Sequence, residues 1–155
     1  DDERVLLATD AGYGFVAKLS DLQSKNRSGK TLLSVPEKAN VLPPCLVRDI
    51  NTDLLIAISN EGRLLVFALS ELPELAKGKG NKIMNIPSAR LQAREEYLAS
   101  VAVVSKNQQL LVYSGKRHTV LKGSDFDEYR GERGRRGNKL PRGFQNVDSI
   151  EVTDR

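Results

Sequence analysis

The sequence predicts an all-β fold of about three propeller-like blades, each of four short strands. Three observations predict it. A unit of roughly 50 residues recurs, each unit reads as hairpins bounded by turn signals, and no window keeps an i, i+3, i+4 apolar stripe free of glycine or proline.

The first unit runs RVLLATDAGYGFVAKLSDL and then KNRSGKTLLSVP; the second runs LLIAISNEGRLLVFALSELPEL and then KGKGNKIMNIP. Gly12 matches Gly62, Leu19-Ser20-Asp21-Leu22 matches Leu69-Ser70-Glu71-Leu72, and Leu32 to Pro36 matches Ile83 to Pro87. A looser third unit, QLLVYSGKRHTVLKGSDFDEY and then RGRRGNKLPRGF, pairs Ser59 with Ser114 and Gly80-Asn81-Lys82 with Gly137-Asn138-Lys139. The units span about 1–50, 51–104 and 105–155. In each, an apolar run (VLLAT, LLIAIS, LLVYS) meets a turn signal (DAG, NEG, SGK) and a second run follows (FVAKL, LLVFAL, TVLKG), which is hairpin grammar. A brief turn then leads into a basic, glycine-rich loop. Short strands follow that loop (TLLSV, KIMNI), and the runs PPCLV and YLASVAVV close the first two units. ELPELA has room for one helical turn, limited by Pro73.

With 155 residues and 39% hydrophobic composition, the chain suffices for one ordinary domain or part of a larger one. No apolar run approaches the roughly 18–20 residues that cross a bilayer, and the start DDERVLL has acids where a signal peptide has bases. A soluble protein without a leader is therefore expected. The single cysteine, Cys45, excludes an internal disulfide framework, fits a reducing compartment, and is expected to pack as a small hydrophobe.

The net charge of +4 conceals a segregation. Residues 23–35, 75–94 and 129–143 hold fourteen cations against the one acid Glu132, so the remainder of the chain is acidic. Basic loops on an acidic body suggest a polyanion held along one edge. Glycines between the cations permit tight turns and let backbone N–H groups approach an anion, while Lys and Arg neutralise phosphate. Such loops grip a nucleic-acid backbone and have little means of reading bases. Three of them at corresponding positions on a curved stack of blades make a curved cationic track, suited to bent duplex DNA. Aromatics are 5% with no Trp, and only Tyr129 and Phe144 flank a basic cluster, which disfavours recognition by base stacking.

Enzyme constellations are scarce. His118 is the only histidine, so catalytic triads would all need it, and a solvated or packed ring is expected, with a phosphate contact as the alternative. One Cys and one His cannot build a Cys/His metal cluster. Asp125 with Asp127, and Glu95 with Glu96, read as solvated turns. SKNRSGKT at 24–31 ends like a phosphate-binding P-loop, but Ser24 stands where the first glycine belongs and Pro36 forbids the following helix.

LLATDAGYGFVAKLSDL, KNRSGK, SELPELAKGKGNKIMNIPS and the GERGRRG segment resemble the C-terminal domains of the A subunits of bacterial DNA topoisomerase IV, relatives of those of the DNA gyrase A subunits. The resemblance covers essentially the whole chain. It implies a β-pinwheel, in which four-stranded blades exchange strands and DNA binds around a basic rim. It also implies that the chain holds only part of a pinwheel and lacks the catalytic N-terminal region. The implied DNA contacts are Lys25, Arg27 and Lys30; Lys77, Lys79 and Lys82; and Arg133, Arg135, Arg136 and Lys139. The gyrase box Q-R-R-G-G-K-G is missing. Its nearest echo, Arg135-Arg136-Gly137 followed by Asn138-Lys139, favours topoisomerase IV over a gyrase-type wrapping domain.

By the same resemblance the domain helps select and present a duplex segment for decatenation and supercoil relaxation. No cofactor is expected in this chain; the parent enzyme uses Mg²⁺, and ATP on its other type of chain. Implied partners are double-stranded DNA, the B subunit of topoisomerase IV, and a second copy of the parent chain, with other chromosomal proteins as further candidates. The implied location is cytoplasmic and nucleoid-associated, with peripheral placement at the inner membrane face as an option. A protein-interaction propeller docking an acidic partner, and a nucleotide-dependent enzyme, are the rival classes.

Overall fold

The computed structural model describes residues 3–20, 33–36, 39–144 and 146–154. Among these, eleven strands form three antiparallel sheets, with one short helix described in full, helical residues at Leu19 and Ser20, and two 3-10 turns. The first sheet has the order β3-β1-β2-β6, from β1 (Arg4–Ala8), β2 (Tyr13–Lys18), β3 (Cys45–Val47) and β6 (Asn81–Lys82). The second has the order β10-β5-β4-β7, from β4 (Leu54–Ser59), β5 (Arg63–Ala68), β7 (Leu98–Val104) and β10 (Asn138–Lys139). The third has the order β11-β8-β9, from β8 (Gln108–Ser114), β9 (Arg117–Leu121) and β11 (Ser149–Asp154). Helix α1 is Ser88–Gln92. The strand-rich, blade-like architecture agrees with the sequence-based expectation. Of ELPELA only Glu71 is in a 3-10 turn, Leu69–Glu71, which stops before Pro73.

The hairpins follow the apolar runs. β1 pairs with β2 from Arg4↔Lys18 to Ala8↔Gly14, β4 with β5 from Leu54↔Ala68 to Ile58↔Leu64, and β8 with β9 from Leu110↔Leu121 to Ser114↔Arg117. Strand alternation then distributes side chains between faces. In β4, Leu55 and Ala57 enter a core shared with the first sheet, beside Leu6, Val16 and Ile83, whereas Ile56 and Ile58 enter a core shared with the third, beside Leu110, Val112 and Phe126. Both faces of the middle sheet are therefore buried, which is why LLIAIS and LLVFA read as nearly continuous apolar runs. Each fully buried Leu or Ile stabilises the fold by about 1.5–3 kcal/mol. Cys45 is half-buried against the first core, its Sγ 3.4 Å from the Val101 carbonyl, and burial pushes the thiol up from its ordinary value.

The strands that complete two of these sheets come from the following repeat. β6 pairs with β2 through Tyr13↔Lys82 and Gly14↔Asn81, and β10 pairs with β5 through Asn138↔Leu64 and Lys139↔Arg63. Each crossing segment first touches the same receiving strand farther along, at the parallel bridges Val16↔Glu74 and Val66↔Arg130. The basic loops between these attachment points are thus pinned at both ends to the edge of the preceding sheet. The repeated Gly-Asn-Lys is this docking element. Gly80 (φ +86°) and Gly137 (φ +73°) lie against the carbonyls of Gly14 and Leu64, and a Cβ at Gly137 would stand 2.5 Å from the Leu64 oxygen. These two glycines serve strand exchange by close approach and positive φ, in addition to any service to an anion.

Candidate nucleic-acid interface

The loop pinned between Glu74 and Asn81 projects from the first sheet, and the loop between Arg130 and Asn138 from the second. Lys77 and Lys79 are exposed and Lys82 is half-buried, and none of the three makes an ion pair among the described residues. Lys79 Nζ stands 4.3 Å and Lys82 Nζ 6.0 Å from the centre of the Tyr13 ring, and Lys82 Nζ donates to Asn85 Oδ1 at 3.4 Å. Beneath them an open cleft of about 430 Å³ is lined by Tyr13, Lys79, Lys82 and the apolar Ile86 and Leu91. Tyr13 corrects the sequence-based view that no aromatic enters a basic cluster. It is 66 to 69 residues away from these lysines in the chain, and only the exchanged strand brings it there.

The third basic loop is divided. Arg135 is 69% exposed and pairs with Glu132 at 3.2 Å on the surface, and Lys139 and Arg142 are exposed. Arg133 and Arg136 turn back onto the second loop's return strand. Arg133 Nη1 donates to the Lys82 carbonyl at 2.8 Å, and Arg136 Nη1 donates to the Asn85 carbonyl at 3.1 Å and to Glu96 Oε1 at 2.8 Å. Two backbone bonds reinforce the seam, Gly134 N to the Ile83 carbonyl at 2.9 Å and Asn85 N to the Arg135 carbonyl at 3.0 Å.

Glu96 corrects a second expectation. The sequence reads Glu95-Glu96 as a solvated turn, yet Glu96 is 0% exposed while Glu95 lies at the surface. Its carboxylate faces Arg136 and, at 3.9 Å, Arg90, whose guanidinium also pairs with Glu61. Arg94, counted among the loop cations by sequence, is bonded to the buried Asp10 at 2.8 Å, a hydrogen bond that raises its guanidinium further above the ordinary value. Asp10 also accepts from the Asn40 backbone at 2.9 Å, so this pair ties three segments together. No local signal marks Glu96 or Asp10 as buried, because each is enclosed by segments remote in sequence.

Asp125 and Asp127 are exposed, as expected, Asp125 accepting from Lys122 N at 3.1 Å. His118 is exposed on β9, its ring centroid 6.0 Å from that of Tyr113. Lys25, Arg27 and Lys30, and the P-loop-like stretch 24–31, lie outside the described residues. No three His, Cys, Asp or Glu side chains converge as a metal site among the described residues. Among the same residues no helix is long and apolar enough to cross a membrane.

Residues 3–42 and 53–105 match the family model described as DNA gyrase C-terminal domain, beta-propeller. The chain is 56% identical over 152 residues to the DNA topoisomerase 4 A chain of Pseudomonas aeruginosa and 47% identical over 152 residues to that of Escherichia coli K12, covering 98% of this chain in each case. It spans about a fifth, 20%, of the length of each. Among solved structures, the E. coli ParC C-terminal domain superposes with a TM-score of 0.89 at 45% identity, over 100% of this chain and 62% of that one. A DNA gyrase A C-terminal domain shares the fold at a TM-score of 0.73 and 17% identity, over 99% of this chain and 50% of that one. The chain, with its exchanged blade strands, belongs to the DNA gyrase C-terminal domain family of beta-propellers, and its relatives at high identity are topoisomerase IV A subunits.

Proposed function

We propose that this domain binds duplex DNA through its phosphate backbone and bends it, and that it thereby helps a topoisomerase IV select and present a DNA segment for decatenation and supercoil relaxation. The observation that carries this is the set Lys77, Lys79 and Lys82, clustered on a pinned loop with no acid paired to them among the described residues. Arg135, Lys139 and Arg142 stand on the neighbouring loop of the next sheet edge.

Phosphates neutralised by these groups release counterions, which supplies affinity without sequence preference. Bending a site of 20–30 base pairs costs of order 1–6 kcal/mol, offset by the added contacts on the second loop. Lys25, Arg27 and Lys30 are proposed to extend the track on the strength of the repeat alone. Within the parent, the proposed partners are the B subunit of the enzyme plus a second copy of the parent chain. Strand breakage, Mg²⁺ and ATP chemistry are placed on other regions, and the nucleoid is the proposed site of action.

The absence of the gyrase box disfavours full wrapping. A propeller docking an acidic protein is the second reading, supported by the apolar floor of the Tyr13 cleft. Fluorescence anisotropy with a duplex length series separates the two. Affinity should rise with length until the duplex spans both loops, and length-independent binding, or none, would sink the DNA reading.

A further inference from the structure

Four contacts join the third basic loop to the return strand of the second: Arg133 to the Lys82 carbonyl, Arg136 to the Asn85 carbonyl, Gly134 N to the Ile83 carbonyl and Asn85 N to the Arg135 carbonyl. The anchor is Glu96, a wholly buried carboxylate that precedes β7 of the middle sheet. Its Oε1 takes Arg136 at 2.8 Å, while Oε2 is buried without a hydrogen-bond partner among the described residues. A carboxylate so placed holds a guanidinium strongly, because releasing it would leave a buried charge uncompensated. The position equivalent to Arg136 in the second loop is Lys79, which has no acid partner among the described residues and lies over Tyr13.

Equivalent basic positions thus carry different work. We propose that Arg136, anchored by Glu96 and assisted by Arg133, is a positioning residue: it locks the angle between consecutive basic loops and so sets the bend of the bound duplex, without itself touching phosphate. The inference rests on the DNA-binding reading above.

Glu96→Gln tests it sharply, since this change removes no cation. The variant retains every candidate phosphate contact and gains one unit of net positive charge. If Arg136 were a phosphate contact held back by Glu96, the variant would bind more tightly, with a salt slope steeper by up to about 0.9. If Arg136 positions the loops, the salt slope on a duplex too short to span both loops stays unchanged. End-labelled FRET on a long duplex should then lose most of the gain that the unaltered 155-residue chain produces.

Arg136→Lys keeps the charge but cannot serve the Asn85 carbonyl and Glu96 with one planar group, and should show the same loss of bending. Undiminished FRET with tighter, steeper binding overturns the positioning role and leaves the DNA reading standing. Absence of duplex binding by the unaltered chain overturns the DNA reading itself. Loss of the melting transition in both variants also overturns the inference, because the contact would then hold the sheets together instead of setting their angle.

Discussion

Replacing Lys77, Lys79 and Lys82 together by glutamine removes three ammonium groups that no described carboxylate neutralises. Each phosphate contact contributes about 0.9 to the slope of log K against log salt, so the slope should fall by up to about 2.7. If the lines converge near 1 M salt, the loss at 0.1 M reaches about 500-fold, equally for all duplex sequences. The matching triple change at Arg133, Arg135 and Arg136 should behave otherwise. Of these, only Arg135 has a mostly exposed side chain, 69% against 29% for Arg136, so the slope should fall by only about 0.9. Stability should fall as well, because Glu96 loses its closest cation. Breaking a fully buried pair costs roughly 3–5 kcal/mol; with Arg90 still near Glu96 and Arg136 partly exposed, about 2 kcal/mol is expected. For a domain of this size that lowers Tm by roughly 4–8 °C. Anisotropy titrations over a salt series, with thermal melts of the same preparations, measure both quantities. A slope lost by about 2.7 at unchanged Tm in the third-loop variant would refute the division of labour drawn from the geometry. An unchanged slope in the second-loop variant would show that its charge serves something other than DNA.

Gly137→Ala should destabilise the fold by about 2 kcal/mol or more, combining a left-handed φ with a Cβ pressed on the Leu64 carbonyl, and lower Tm by roughly 4–8 °C in a thermal melt. Ile56→Asp puts a carboxylate into the core between the second and third sheets, where Ile56 is 0% exposed; loss of the cooperative melt is expected, and a soluble variant of unchanged Tm would discredit the β4 assignment. Lys106→Gln, in the exposed turn between β7 and β8, should leave both salt slope and Tm unchanged. Far-ultraviolet circular dichroism should be dominated by strand, since α1 is only five residues long.

The hairpins were legible because their turns are local and their runs are apolar on one or both faces. VLLAT, FVAKL, LLIAIS, LLVFAL, LLVYS and the closing run YLASVAVV each lie in a strand but for at most one end residue. SIEVTD, which forms β11, carried no comparable signal: its burial is partial, and its pairing with β8 is fixed by a partner about 40 residues earlier. TLLSV lies partly outside the described residues, and KIMNI shows the limit of a local reading. Of KIMNI only Lys82 lies in a strand, β6, which begins one residue earlier at Asn81, while Ile83 and Met84 turn into the core. The site was legible as charge and opaque as geometry. Sequence counts Arg133, Arg135 and Arg136 as equals, because nothing in GERGRRG shows that the Lys82 and Asn85 carbonyls and Glu96 converge on two of them.

That convergence explains why cations and glycines are interleaved so closely in this segment. The loop must cross from its own repeat to the edge of the preceding sheet, and the crossing leaves carbonyls at 82, 83 and 85 in need of donors. Guanidinium groups satisfy two of them from the side while remaining charged, which a lysine does less well because its single nitrogen cannot bridge a carbonyl and a carboxylate in one plane. Among the described residues the second loop meets the segment before it through backbone alone, Ser34 N donating to the Gly78 carbonyl at 2.8 Å, and it carries lysines at all three basic positions. The choice of Arg in one loop and Lys in the other therefore follows from what each loop must hold besides phosphate. It also implies that Arg133→Lys should weaken the seam while leaving net charge unaltered, so a fall in Tm without a change in salt slope is expected. A change in slope alone would place Arg133 on DNA instead.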